Sequence, residues 1–298
     1  MGDGTGFTRE QLARVLAVAE EAGRRIMAVY ADESRWAVET KADDSPLTAA
    51  DLAAHEAIKA ALEAVGDPAL AGIPVLSEES APAELAGRRS WPRCWVVDPL
   101  DGTREFIARN GEFSVNIALV QGDEAVLGVV HGPASGVSYV AARGLGAFKV
   151  SAGGWQAIRV RALPHPALPG LGETASPAAV VPVRLTVSRR HGLERLAAFE
   201  QAVAGAFGPV TSVAAGSAFK TCAVAEGLAD CYPRFGPTSE WDTAAAQVVL
   251  EEAGGWLLSA TGEPFCYNRR DSLLNGDFLA VGSQPARWLA CWPEDGRA

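Results

Sequence analysis

The first quarter of the chain carries two amphipathic patterns with the period of a helix. Thr8 and Gln11 have the spacing of a capping box, and apolar residues then recur every three or four positions, at Leu12, Val15, Leu16, Ala19, Ile26, Met27 and Tyr30. A second pattern begins at Thr48, ends near Gly66 and contains Leu52, Ile58, Leu62 and Val65. The two patterns predict two long helices at the start of the fold.

Short apolar runs follow, separated by turn residues, as is typical of strands. They lie at 73–76, 95–97, 115–120, 125–130, 137–141 and 147–150. The segment Gln121-Gly122-Asp123-Glu124 joins two of these runs and predicts a hairpin. Much of the first half is therefore expected to form one antiparallel sheet.

The composition changes at Leu163, because 163–182 is rich in proline, alanine and glycine and follows neither period. This stretch predicts a surface loop or an inter-domain connection. Strands are then predicted at 183–187, 210–213, 229–232, 256–258 and 278–281, with helices from Leu193, Phe219 and Thr243 and near Trp288. We expect an α+β half over 1–162 and an α/β half over 163–298 that completes the functional site.

Composition and charge narrow the class of protein. Of the 298 residues, 48% are hydrophobic, enough for a large core. The net charge of −10 disfavours nucleic acid and anionic membranes as partners, although a bound cation would still admit a phosphorylated substrate. Five cysteines without a Cys-x-x-Cys pair favour a reducing compartment. With neither a leader pattern nor an integral membrane span predicted, we expect a cytoplasmic protein and leave peripheral contact with the inner membrane open.

The run from Trp95 to Thr103 carries the strongest chemical pattern. Asp98 follows an apolar strand, Pro99 interrupts the ladder, and Gly102 permits a tight turn before a helix that starts at Thr103. Carboxylates three residues apart on such a turn, as Asp98 and Asp101 are, can converge on a hard cation such as Mg²⁺. The same residues are ordinary turn formers, so the run alone leaves both interpretations open.

Four further acids lie where strands end or helices begin. Glu78 and Glu79 follow the strand at 73–76, Asp242 starts a helix, and Asp51 has capping-box spacing from Thr48. Each has an ordinary structural explanation as a solvated acid or a helix cap. Strand ends and helix starts are also where α/β folds place their ligands, and the sequence alone does not decide whether these acids meet.

Three segments resemble the motifs of the inositol monophosphatase superfamily of lithium-sensitive, magnesium-dependent phosphatases. They are 76–80, 95–106 and 241–255, and they occur in the order typical of that family. The resemblance extends from the first helix to Val281. It implies a layered αβαβα sandwich of α+β and α/β layers, the sugar phosphatase fold, with two or three Mg²⁺ as cofactors.

The resemblance also implies roles for individual residues. The metal ligands would be Glu78, Asp98, the carbonyl of Leu100, Asp101 and Asp242. Thr103 would pair with Asp51 to deprotonate the attacking water, and Glu79 would help to hold a further metal ion. The phosphate would be held by Gly102 and Thr103, next to the metal-binding Glu78, Leu100, Asp101 and Asp242.

Within the superfamily the chain is most similar to the CysQ-type 3′(2′),5′-bisphosphate nucleotidases. The similar segments are 41–51, the Arg104-Glu105-Phe106 that follows Thr103, and 188–191. This likeness implies that Lys41, Arg189 and His191 contact the second phosphate or the ribose, while the simpler alternative makes them solvated loop residues. The subgroup's Gly-Ser-Ser-Leu-Lys element appears as Gly216-Ser217-Ala218-Phe219-Lys220, with Gly216, Ser217 and Lys220 expected near the sugar or base.

The resemblance implies hydrolysis of adenosine 3′,5′-bisphosphate to AMP and phosphate by a metal-activated water, in a monomer rather than a homodimer. An inositol-1-monophosphatase or a fructose-1,6-bisphosphatase on the same scaffold is the alternative of the same class. A non-catalytic regulatory or RNA-processing partner is the alternative of another class. The full set of acids argues against the last, because a binding module does not need it.

Overall fold

The structure is a computed structural model that describes residues 6–32, 38–40, 46–163, 181–187 and 192–293. The helices are α1 (Arg9–Tyr30), α2 (Ala49–Glu63), α3 (Thr103–Ile107), α4 (Leu193–Phe207), α5 (Phe219–Ala225), α6 (Glu240–Glu252) and α7 (Pro285–Leu289). The strands are β1 (Val38–Thr40), β2 (Pro46–Thr48), β3 (Val75–Ser77), β4 (Arg93–Asp101), β5 (Ser114–Gln121), β6 (Glu124–Gly132), β7 (Val137–Ala142), β8 (Gly146–Ser151), β9 (Gly154–Ala157), β10 (Val183–Thr186), β11 (Val210–Val213), β12 (Cys231–Arg234), β13 (Thr238–Ser239), β14 (Trp256–Ser259), β15 (Leu274–Asn275) and β16 (Phe278–Val281).

Capping boxes start both predicted N-terminal helices. At α1, the Gln11 N–H donates to the Thr8 hydroxyl over 3.2 Å, and the Thr8 N–H donates to the Gln11 side chain over 3.0 Å. At α2, Asp51 accepts a bond of 2.7 Å from the Thr48 N–H. The side chains satisfy N–H groups that a helix start leaves without partners, and both predicted helices are confirmed.

Seven strands form the larger sheet, in the order β3-β4-β5-β6-β7-β8-β9. Strands β3 and β4 are parallel, while the remaining neighbours are antiparallel and include the predicted hairpin between β5 and β6. Side chains alternate between its two faces. On β4, Trp95 and Val97 pack with α1 and α2, whereas Cys94 and Val96 join the core formed with α5 and α6.

Helix α6 lies against strand β6 at a glycine. A Cβ atom added to Gly128 would lie 2.2 Å from the carbonyl oxygen of Ala245 in α6. A real carbon atom does not fit at that distance, so the absence of a side chain lets the helix backbone approach the sheet. This contact sets the depth of the helix that begins near Asp242.

The smaller sheet has five strands in the order β11-β10-β12-β16-β14. Strands β10, β11 and β12 are parallel, and β16 is antiparallel to both of its neighbours. On β16, Phe278 and Ala280 join the core with α5 and α6, whereas Leu279 and Val281 pack with α4 and α7. Helix pairs and sheets therefore alternate in five layers, and the predicted αβαβα sandwich is confirmed.

The boundaries of several elements differ from their predictions. Strand β4 continues past Asp98 to Asp101, α6 starts at Glu240 instead of Thr243, and the strand predicted at 229–232 is β12. Strands β1, β2, β9, β13 and β15 were not predicted, because two to four residues are too short to show a period and these strands lack the apolar runs that indicated the other short strands.

Most of the proline-rich stretch, 164–180, lies outside the described residues, and its assignment as a surface connection stays a prediction. The division into halves at 162 also stays a prediction, and α5 and α6 from the second half pack on the sheet of the first. In the described part of the chain, every helix is too short or too polar to span a bilayer.

Candidate active site

A bulge at the end of β4 brings acids together. Asp98 pairs with Asn116, and Asp101 pairs with Ser114. Between these two pairs β4 has one more residue than β5, so the register shifts. The extra residue bends the strand and redirects its side chains. As a result, Asp98, Asp101 and Asp242 each place a carboxylate oxygen within 4.8 Å of the others.

Mutual repulsion and burial shift the proton affinity of two of these acids. Asp98 is 1% exposed, and its burial, followed by the nearby charges of Glu78, Asp101, Asp242 and Asp51, raises its pKa well above the usual value. Burial and then the charge of Asp101 raise the pKa of Asp242 to about 7, although the Ser239 N–H opposes the shift. An all-oxygen donor set of clustered carboxylates of this kind fits a hard divalent cation.

Hydrogen bonds fix Asp101 from one side. Its Oδ2 accepts bonds from the Ala218 N–H over 2.7 Å, from Asn116 Nδ2 over 3.3 Å and from the hydroxyls of Ser114 and Ser217. The described residues donate all of these bonds to Oδ2, so the lone pairs of Oδ1 can bind another ligand.

A glycine allows the segment before α5 to reach this position. A Cβ atom on Gly216 would lie 2.9 Å from the backbone oxygen of Glu112 and 2.7 Å from its Cβ. Gly216 therefore brings Ser217 against Asp101 through close backbone packing. Its role in the fold is visible in the structure, whereas its predicted contact with substrate stays a prediction.

The start of α2 meets the start of α3 through Asp51 and Thr103. Asp51 is 1% exposed, and its Oδ2 accepts bonds of 2.7 and 2.6 Å from the N–H and hydroxyl of Thr48. Its Oδ1 accepts a bond of 3.3 Å from Thr103 Oγ1, which also lies 3.4 Å from the carbonyl oxygen of Leu100. The capping role and a chemical role of Asp51 are compatible, because they use different oxygens.

Gly102 forms the turn between Asp101 and α3. Its φ angle of 92° lies in the region that only glycine adopts readily. A Cβ atom there would also lie 3.3 Å from the carbonyl oxygen of Glu112. The predicted tight turn before the helix at Thr103 is confirmed.

Glu78 and Glu79 occupy the two central positions of a β-turn. The Ser80 N–H donates to the Ser77 carbonyl over 3.1 Å and closes the turn, while the Glu78 N–H donates to Val97 of β4 over 3.1 Å. Glu78 lines the same cleft as Asp101 and Asp242, and Glu79 is its partly buried neighbour outside the lining.

That cleft has a volume of about 570 Å³ and is lined by most of the predicted site residues. The predicted residues that line it are Glu78, Asp101, Gly102, Thr103, Gly216, Ser217, Lys220 and Asp242. Asp51, Asp98 and Leu100 are buried behind them. Lys41, Arg189 and His191 lie outside the described residues, and their contacts with substrate stay predictions.

Part of the cleft wall is cationic and aromatic. Lys220 donates from Nζ to the carbonyl of Ser217 over 2.9 Å, and its Nζ lies 5.3 Å from the centroid of the Tyr232 ring. Both contacts hold a positive charge in the cleft. Further cationic and apolar residues of this wall are Arg104, Arg234, Trp241, Leu274 and Phe278.

Sequence reasoning missed two groups of site residues. Ser114 and Asn116, which hold Asp101, are buried polar residues two positions apart in an apolar strand, and that alternation is a signal that could have identified them. No such signal marks Tyr232, Arg234 and Phe278 of the wall, because they lie in β12 and β16, which have the pattern of ordinary core strands.

Glu252, in the last of the three motifs, has a structural contact instead. Its carboxylate accepts bonds of 3.0 and 2.9 Å from the N–H groups of Gly144 and Gly146 in the turn between β7 and β8. It lies outside the cleft lining. This motif residue fastens α6 to the larger sheet.

Comparisons with known proteins agree with this geometry. The family model described as inositol monophosphatase family matches residues 9–287. A protein from Shigella flexneri named 3′(2′),5′-bisphosphate nucleotidase CysQ is 43% identical over 267 residues, which cover 90% of this chain and 98% of that protein. A crystal structure of CysQ from Bacteroides thetaiotaomicron has a TM-score of 0.76 at 35% identity and covers 93% of this chain and 99% of its own. An IMPase from Thermotoga maritima has the same fold, with a TM-score of 0.70 at 22% identity over 95% of this chain and 96% of its own. This chain therefore belongs to the inositol monophosphatase family.

Proposed function

We propose that this chain is a Mg²⁺-dependent phosphatase that hydrolyses adenosine 3′,5′-bisphosphate to AMP and phosphate. The observation that carries the proposal is the convergence of Asp98, Asp101 and Asp242 at a cleft that also contains the cation of Lys220. The names of the CysQ relatives, at 43% identity over most of the chain, support a bisphosphate nucleotide as the substrate.

Two or three Mg²⁺ are the proposed cofactors. The carboxylates of Glu78, Asp98, Asp101 and Asp242 and the carbonyl of Leu100 would hold them, and Glu79 would help to hold a further ion. When bound, Mg²⁺ supplies positive charge for the phosphate oxygens and lowers the pKa of water. The raised pKa values of Asp98 and Asp242 support this assignment, because a cation at their oxygens would relieve the repulsion.

Thr103 and Asp51 form the proposed proton acceptor. With its hydrogen donated to Asp51 Oδ1, the Thr103 hydroxyl can accept a hydrogen bond from an attacking water in the cleft. As the proton moves to Thr103, the hydroxyl proton passes to Asp51. Thr48 holds the other oxygen of Asp51 and so orients the acceptor.

The two phosphates of the substrate have separate proposed sites. The N–H groups of Gly102 and Thr103 would bind the phosphate that is cleaved, next to the acids. The cations of Arg104 and Lys220 would bind the second phosphate, and Tyr232 and Trp241 offer apolar surface for the base. A substrate with a single phosphate would leave the second site unused.

A monomer in the cytoplasm is the proposed working state. Within the described residues, one chain supplies the acids, Thr103 and the cations of the wall, which supports a monomer. A net charge of −10 supports a small phosphorylated substrate over nucleic acid. Sedimentation at micromolar concentrations would test the monomer.

One experiment tests the activity. Phosphate release is measured from adenosine 3′,5′-bisphosphate, inositol 1-phosphate and fructose 1,6-bisphosphate with Mg²⁺, with EDTA and with added Li⁺. We expect the nucleotide to react fastest, EDTA to abolish the reaction, and Asp98→Asn to do the same with Mg²⁺ present. Faster turnover of inositol phosphate would overturn the substrate assignment, and an active Asp98→Asn would overturn the metal assignment.

A further inference from the structure

We propose that His55 is a positioning residue that acts through Ser77 to hold the turn carrying Glu78 and Glu79 in register with the helix carrying Asp51. The proposal rests on the proposed function in that it assigns Glu78 to the metal site. It adds a buried group that lies outside the cleft and outside the three motifs.

Helix α2 carries both His55 and Asp51, the proposed proton acceptor. Asp51 and His55 are four residues apart and lie on the same side of the helix, where they are 1% and 5% exposed. His55 Nδ1 lies 2.9 Å from the hydroxyl oxygen of Ser77, at the end of β3. A side-chain bond therefore runs from the helix that holds the proposed proton acceptor to the residue before Glu78.

The Ser77 hydroxyl also binds the turn itself. It is in a residue that is 1% exposed, and it accepts a bond of 3.3 Å from the N–H of Glu79. Its one hydrogen is then available to Nδ1 of His55 when the ring proton sits on Nε2. Burial lowers the pKa of His55 and favours this neutral form.

Three bonds together fix the orientation of the turn. The Ser80 N–H closes it onto the Ser77 carbonyl, the Glu78 N–H ties it to Val97 of β4, and the Ser77 hydroxyl ties it to α2. The first two act through the backbone and persist in any side-chain variant. The His55 bond is the connection to α2 that a substitution can remove, and without it the Ser77 hydroxyl is free to rotate away from Glu79.

Loss of the bond should weaken metal binding more than it weakens the fold. Residues that orient metal ligands typically contribute a factor of roughly 10 to 100 in metal affinity. Since this turn carries Glu78, whose charge acts on Asp98, we expect this effect on binding of the first or second cation.

The chain contains a matched control for the pair. His131 Nδ1 lies 2.8 Å from the hydroxyl of Ser138, and both residues are buried. Neither lines the cleft. Removing the Ser138 hydroxyl therefore breaks the same kind of buried bond at a place unconnected to Glu78.

The test is titration of Mn²⁺, which shares the oxygen preference of Mg²⁺, into the full-length protein, followed by calorimetry and electron paramagnetic resonance. We expect Ser77→Ala and His55→Leu each to weaken Mn²⁺ binding about 10-fold, and the double variant to be no weaker than either. His55→Asn, which can still present a polar atom near the position of Nδ1, should recover part of the affinity, and Ser138→Ala should match the wild type.

Unchanged Mn²⁺ affinity in Ser77→Ala would overturn the proposal, even if the melting temperature falls. If His55→Leu does not fold, Ser77→Ala decides alone, because deleting a hydroxyl leaves no new side chain to pack. The readout is independent of substrate. If the Mn²⁺ affinities of the variants follow the predicted order but the wild type releases no phosphate, the proposed function is refuted and the role of His55 stands.

Discussion

Thr103 donates a hydrogen bond from Oγ1 to Oδ1 of Asp51 across 3.3 Å, although 52 residues separate the two in the chain. The bond joins the first residue of α3 to the first turn of α2. The other oxygen of Asp51 is occupied by Thr48. One carboxylate thus caps a helix and serves as the end of a proposed proton path.

Replacing Thr103 by valine should lower kcat by about 10²- to 10⁴-fold, the usual contribution of a positioned proton acceptor. Valine keeps the shape of threonine and removes the hydroxyl that connects water to Asp51. Thr103→Ser, which keeps the hydroxyl, should retain most of the activity. Steady-state kinetics at saturating Mg²⁺ would measure both, and equal losses in the two variants would mean that Thr103 acts through packing alone.

The metal-free protein should become less stable as the pH rises from about 4 to about 7. The pKa of Asp242 is about 7 in the folded protein against 3.8 as its ordinary value, because of burial and the charge of Asp101. The folded state therefore holds a proton that the unfolded state has released, and raising the pH removes that advantage.

Asp242→Asn provides the matched comparison, since an amide still accepts the bond from the Ser239 N–H. Melting in EDTA should show the variant more stable than the wild type near pH 8, with a smaller difference near pH 5. Mg²⁺ should raise the Tm of the wild type at pH 8 and that of the variant much less. A variant less stable at every pH would show that capping outweighs repulsion.

Lys220→Gln should raise KM for adenosine 3′,5′-bisphosphate by roughly 10- to 100-fold, in line with about 1.5–3 kcal/mol for a hydrogen bond to a charged group. The ammonium is held in the cleft by Ser217 and the Tyr232 ring, so the variant loses a fixed positive charge at the proposed site of the second phosphate. Turnover of a substrate with one phosphate should change little.

Lys59→Gln is the control for that charge, because Lys59 pairs with Glu84 at the surface and lies outside the cleft lining. Exposed pairs of this kind contribute little. Kinetic constants for both substrates should stay at wild-type values. If Lys220→Gln raises KM equally for both substrates, Lys220 does not distinguish the substrate with a second phosphate.

Gly128→Ala should destabilise the fold by about 3 kcal/mol, the upper end of the usual cost of overpacking. The new methyl group would meet the Ala245 carbonyl at 2.2 Å, and a backbone atom in a packed helix does not move aside easily. Gly205→Ala in α4 is the control, since its Cβ meets nothing within 4 Å. It should stabilise the protein by up to about 1 kcal/mol through helix propensity. Denaturant unfolding would measure both, and a neutral Gly128→Ala would mean that α6 can shift on the sheet.

Local patterns determined the elements of this protein. The capping boxes at Thr8 and Thr48 and the hairpin at 121–124 depend on neighbours in the chain, and the structure confirms them. The turn at Gly102 was also predicted, because a positive φ angle favours glycine wherever it occurs. Element boundaries were predicted less accurately. The sequence predicted that the strand would end at Val97, whereas β4 continues to Asp101.

The sequence alone could nominate Asp98, Asp101 and Asp242 as metal ligands but could not show that they meet. Their convergence depends on a bulge between β4 and β5 and on the depth of α6 over Gly128, and both depend on residues far apart in the chain. The aromatic wall of the cleft and the bond from His55 to Ser77 also required the tertiary structure. A buried aromatic ring or histidine has the same pattern in sequence whether it faces a core or a site, because burial is a property of the assembled layers.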